Sequence, residues 1–155
     1  MKTIITSFLC IVFVSCANKA DNVETTEAVK TENTGSIFLS KYENEKLMKQ
    51  LTDKARKGDT RAFNELMDIY FYTGHETDFL FISLDVASKF HNTDAYLANY
   101  MISRYTDNED MKKLGYYYLL KANEAGNASA KSILEEEFKG VEIKPAEIYW
   151  KEVKL

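Results

Sequence analysis

An all-α fold of stacked helix hairpins follows from three observations on the 155-residue chain. One proline and six glycines stand against many Ala, Leu, Glu and Lys, the residues that lose least entropy in a helix. Apolar residues recur at three- and four-residue spacing through most of the chain. A short junction, a helix end followed by a stop and a new helix start, occurs at Lys54–Ala62, Ala87–Ala95 and Lys121–Ala130. Its closing alanines, Ala62, Ala95 and Ala130, fall 33 and 35 residues apart, the period of helix-pair solenoids. A short solenoid of about six helices over 36–140 is expected.

The N-terminus lies outside that fold. Lys2 precedes an apolar run from Ile4 to Val14, shorter than the roughly 20 residues a helix needs to span a bilayer and matched to a signal-peptide core over 1–15. From Ala17 to about Gly35 the chain is Ala, Asn, Thr, Glu and Lys with isolated valines, so 16–35 reads as a tether that cannot offset its ordering entropy by burial. A coil of that length reaches about 25 Å.

The first helix is expected from about Ser40 to Lys57, with Leu47, Leu51 and Ala55 on one face and Gly58 as its left-handed stop. Asp59 then caps a helix over 60–73 that turns Ala62, Leu66, Ile69 and Tyr70 inward, and Gly74 closes it. A third helix from Asp78 to about Phe90 is apolar nearly all round and is expected between neighbours. Asn92 takes the left-handed position and Asp94 caps a fourth helix to about Tyr105, whose buried stripe is either Ala95, Ala98 and Ile102 or Leu97, Met101 and Tyr105. The fifth, 109–125, presents Met111, Leu114, Tyr118, Ala122 and Ala125; the sixth, 128–138, presents Ala130, Ile133 and Leu134. In 141–155, Pro145 either begins a short helix or lies in an extended segment, and Ile148 and Trp150 cover the end of the array in both cases.

The run Phe13-Val14-Ser15-Cys16 resembles the bacterial lipoprotein signal, with Phe13 in place of the usual Leu. The resemblance implies that Cys16 is acylated and becomes the mature N-terminus, which places the protein in a bacterial cell envelope, lipid-anchored, with the outer membrane as the expected site. Cys10 lies within the apolar run, so the mature chain keeps one cysteine and forms no internal disulfide.

Asp110, Lys112 and Lys113, then Leu120 to Asn127 and Ala130, resemble the second helix and junction of the Sel-one-like repeat, a relative of the tetratricopeptide repeat. Ala62, Leu66, Tyr70 and Gly74 follow the order of its first helix. Met67 stands where that family has a small residue, Gly74 comes one place late, and Asn99 replaces a leucine. The resemblance covers about two units between 59 and 138. It implies right-handed stacked hairpins that bind proteins or peptides, and it carries no catalytic residues. Ala87 and Ala122 are expected where paired helices approach most closely.

A formal charge of −4 with dispersed basic residues gives no field for nucleic acid. His75 and His91 fall at helix ends without the spacing of a triad or metal site. Glu135, Glu136 and Glu137 point in successive directions around a helix and make a solvated face. No cofactor, metal site or enzymatic activity is expected. The surplus is aromatic, ten Tyr and nine Phe. Phe63 and Met67 recur at a 33-residue offset as Tyr96 and Tyr100, and Tyr116 and Tyr117 lie off the core stripe of their helix. Phe63, Met67, Tyr96, Tyr100 and Tyr116 are therefore read as a partner-binding face, tyrosine suiting an interface by its large ring and polar tip. The alternative is that these rings fill the core. The leading function is a lipid-anchored protein that binds a protein or peptide through a helical-repeat surface. An immunity-type toxin inhibitor and, more remotely, an envelope enzyme are the other classes.

Overall fold

The computed structural model describes residues 33–154. Cys16, the signal peptide and the tether up to residue 32 lie outside the described residues. Eight helices and no strand occur among the described residues: α1 Thr34–Tyr42, α2 Glu45–Ala55, α3 Thr60–Tyr72, α4 Glu76–Phe90, α5 Thr93–Ser103, α6 Glu109–Glu124, α7 Ala128–Glu137 and α8 Ala146–Glu152. The all-α expectation holds, and the count of six is corrected to eight.

Two departures make the difference. Where one helix was expected from Ser40 to Lys57, the chain breaks after Tyr42 and restarts at Glu45, because the Asn44 side chain accepts the Leu47 amide and opens α2. The first of these helices already begins at Thr34, inside the segment read as tether. In the tail, the helical alternative is the one adopted: Pro145 precedes α8, where its missing N–H costs nothing. That helix packs chiefly on α6, with Tyr149 against Tyr116 and Trp150 against Tyr117.

The repeated junction has a uniform construction. Gly58 and Gly126 carry positive φ, and the next residues, Asp59 and Asn127, accept the amides of Ala62 and Ala130. The middle junction is shifted by one from the reading above. His91, at φ 51°, takes the left-handed position, and Asn92 is the cap, accepting the Asp94 and Ala95 amides. Asn92 is extended at its own backbone, so Asp94 is left free for another task.

That task is lateral. Asp94 accepts Asn64 Nδ2 on one carboxylate oxygen (3.1 Å) and Asn127 Nδ2 on the other (3.2 Å). Asn92 also reaches Thr60 Oγ1 at 3.4 Å. The starts of α3, α5 and α7, one repeat apart in sequence, thus lie side by side.

The core runs along one face of each helix. It takes Ala62, Phe63, Leu66 and Ile69 from α3, Phe79, Ile82, Val86 and Ala87 from α4, and Leu114, Tyr118, Leu119 and Ala122 from α6. Ala87 and Ala122 are wholly enclosed, consistent with close helix approach. As expected, α4 lies between neighbours, packed on α3 and α5 and touching α2, though its apolar surround is not all covered: Phe81 is 76% exposed. In α5 the stripe with Ala95 and Ala98 is the buried one, widened by Tyr96, Asn99, Tyr100 and Ser103, while Tyr105 is exposed. Gly115 makes the α5–α6 contact possible: a Cβ there would stand 3.0 Å from the Ser103 Cβ.

Candidate functional site

Phe63, Tyr96 and Tyr100 are buried, at 0%, 8% and 2% exposure. The reading of these rings as an exposed face is corrected, and the core alternative describes them. Phe63 packs on Phe79 with centroids 5.1 Å apart, and Met67 is half-buried against the same core. Tyr100 turns inward and donates its hydroxyl to Glu137 Oε2 at 3.0 Å, beside Arg104, which holds the other carboxylate oxygen at 2.9 Å. Burial, and then the Glu137 bond, push the Tyr100 phenol far above its ordinary range. Tyr116 lies elsewhere, half-buried between Phe138 and Tyr149. The five residues do not form one surface.

One of them does reach an open cleft. His91, Tyr96, Tyr117, Lys121, Glu124 and Ala125 line a depression of about 530 Å³ at the end of α4, the start of α5 and the last turns of α6. The left-handed turn at His91 brings its Nδ1 to 2.9 Å from the Tyr96 hydroxyl, so only the tip of an otherwise buried ring meets solvent. Behind it the rings run in series: Tyr96 stacks on Tyr118 at 5.8 Å, Tyr118 meets Tyr117 edge-on at 5.0 Å, and Tyr117 lies 5.1 Å from Trp150. Trp150 is 52% exposed and belongs to α8, which flanks the cleft through its contacts with Tyr117 and Lys121. Lys121 binds Glu124 at 2.6 Å and stands 3.9 Å from Glu147 of α8.

The electrostatics keep the Tyr96 and Lys121 side chains of the cleft in their ordinary protonation states. Burial raises the Tyr96 phenol, Tyr117 and Glu124 add to the rise, and Lys121 opposes it. Tyr96 thus stays a neutral hydroxyl at ordinary pH and is not poised as a base or nucleophile. The Glu124 hydrogen bond raises the Lys121 ammonium and keeps it charged. Among the described residues no three His, Cys, Asp or Glu side chains converge as a metal site, and no helix is long and apolar enough to cross a membrane.

Tyr117 was legible, since it lies off the core stripe of its helix. Trp150 was read only as a cover for the end of the array, and His91 as a solvated turn residue. Lys121 and Glu124 follow Tyr117 at four and seven residues on α6 and so share its face, but nothing in the sequence set that face against His91 and Tyr96, because that depends on how α6 packs on α5. Compared with family models, with curated proteins and with solved structures, the chain matches none.

Proposed function

We propose that the chain is a non-enzymatic, lipid-anchored protein of a bacterial envelope that holds a polypeptide partner in the cleft at the end of α4, the start of α5 and the last turns of α6, beside α8. The observation that carries this reading is the half-exposed Trp150 beside Tyr117, next to an ion pair and two hydrogen-bonding tips. Large rings with polar edges are the groups that dominate protein interfaces, and Trp and Tyr are enriched among their energetic anchors. The neutral phenol of Tyr96 and the commitment of Lys121 to Glu124 support binding over catalysis. The lipoprotein-like Cys16 motif and the Sel-one-like junctions at Asp59, Asn92 and Asn127 support an anchored helical-repeat protein.

Two measurements test it. Tyr117→Ala and Trp150→Ala should weaken capture of an envelope partner by about 1 to 2 kcal/mol each; the half-exposed Trp150 variant should melt close to the parent, whereas Tyr117, packed against Tyr118 and the core, should also lose stability on truncation. Capture that is indifferent to both would remove the cleft from the function. Cys16→Ala should move the protein from membrane to soluble fractions and abolish labelling by a fatty-acid analogue; an unlabelled parent chain would refute the anchor.

A further inference from the structure

A second depression, of about 420 Å³, lies at the opposite end of the helix order and is lined by Tyr42, Glu43, Glu45, Met48 and Tyr70. Its composition differs from that of the cleft. Tyr42 and Tyr70 meet nearly at right angles, 79° between planes with centroids 5.7 Å apart, so two ring faces form a corner. His75 stacks on Tyr42 at 4.2 Å and Phe79 on Tyr70 at 5.3 Å, which holds both rings in place. Met48 is half-buried against the core beside them.

The charge is one-sided. Glu43 and Glu45 are exposed at the α1–α2 break, no basic residue lines the depression, and neither carboxylate takes part in an ion pair among the described residues. Lys41, the nearest lysine before them, is committed to Glu65 at 2.8 Å and lies over Phe38. The Tyr70 phenol is raised by burial first and then by Tyr42 and Asp78, so it stays neutral, and Asp78 adds a further carboxylate near the back of the pocket. Perpendicular ring faces with unpaired carboxylates at the mouth attract a cation twice, through the ring quadrupoles and through charge.

We infer that this corner takes a lysine or arginine side chain presented by a partner polypeptide, its aliphatic stem on Met48 and its cationic head between the Tyr42 and Tyr70 rings and the Glu43 and Glu45 carboxylates. The pocket is open on one side, which suits a side chain arriving from another surface. The inference shares with the proposed function only the expectation of a polypeptide partner and does not depend on the cleft.

The test is a methyl-NMR titration of the full chain with acetyl-lysine methylamide and acetyl-arginine methylamide, with acetyl-norleucine methylamide as the uncharged control. At least one of the cationic amides should shift the Met48 methyl signal saturably, and norleucine should not. The double variant Glu43→Gln, Glu45→Gln should weaken that binding about fivefold, the scale of an exposed cation contact, and added salt should do the same. Tyr42→Leu, which keeps an apolar filling, should weaken it to a similar degree. Equal shifts from norleucine, or undiminished binding to the carboxamide variant, would overturn the proposal. Tetramethylammonium binding more tightly than either side chain would overturn the assigned occupant. A response at the Trp150 indole in place of Met48 would put the cation in the cleft and reject this pocket, leaving the cleft reading intact.

Discussion

The Tyr100 hydroxyl and the Glu137 carboxylate, 37 residues apart in sequence, meet at 3.0 Å and tie α5 to α7. Tyr100→Phe should therefore cost about 1 kcal/mol, toward the low end for a bond to a charged group because the Glu137 side chain is 40% exposed and keeps Arg104. Tyr100→Ala should cost about 3 to 5 kcal/mol, as for a buried aromatic. Denaturant melts of the two variants separate the hydrogen bond from the ring. Near-parental stability of the alanine variant would contradict the burial.

Asn99 is almost fully buried, and neither its amide oxygen nor its nitrogen has a hydrogen-bond partner among the described residues. Leucine branches at the same atom and carries no polar group, so Asn99→Leu should stabilise the fold by about 1 to 2 kcal/mol by removing an unmet desolvation cost. A raised melting temperature is the expected result. A lowered one would mean that the amide is satisfied in solution or that the added volume does not fit.

Burial above all, with Tyr117 and Tyr96 nearby, pushes the Tyr118 phenol up to about 12, and Tyr70 and Tyr96 are shifted in the same direction. An unfolded phenol ionises near pH 10, so over the interval between, the folded chain binds more protons than the unfolded one. Stability from this source is complete below about pH 10 and is lost as pH rises towards 12. Tyrosinate absorbance and loss of helical circular dichroism should advance together in that window. Full ionisation near pH 10 with the helix signal intact would refute it.

Asn92 caps α5 with two amide bonds of 2.9 Å and touches Thr60 on the neighbouring repeat. Asn92→Ala should lower stability by about 1 to 2 kcal/mol, while Asn92→Gly should cost only a few tenths, since glycine leaves the helix start hydrated. Chemical denaturation distinguishes them. A shift of equal size in both variants would point to the Thr60 contact and away from the cap.

The helix starts were legible because Asp59 and Asn127 follow glycines, and a left-handed residue before an Asx cap is a local pattern. His91 hides the middle copy: Asn is the commoner left-handed substitute for glycine, yet His91 adopts the turn and meets the Tyr96 hydroxyl. The break at Asn44 lacks both glycine and proline and depends on one side-chain cap. The aromatic residues teach a different lesson. Phe63 and Tyr96 do share an environment, as their 33-residue offset suggested, but that environment is the core. Recurrence reports equivalence between repeats and says nothing about which side of a helix faces water. The two depressions escaped the sequence because each joins separate helices, one through the left-handed turn at His91 and the packing of α5 on α6, the other through the α1–α2 break.

The two amides held by Asp94 also bear on how long the folded chain persists. Most helix pairs in this protein are neighbours in sequence, so their docking closes short loops and can proceed quickly. The Asp94 bonds span 30 and 33 residues, and the entropy of closing such loops predicts that they form after the intervening hairpins have docked. Interactions made that late are absent from the folding barrier and act on the unfolding rate alone. A single carboxylate therefore works as a latch, slowing escape from the native state without hastening arrival.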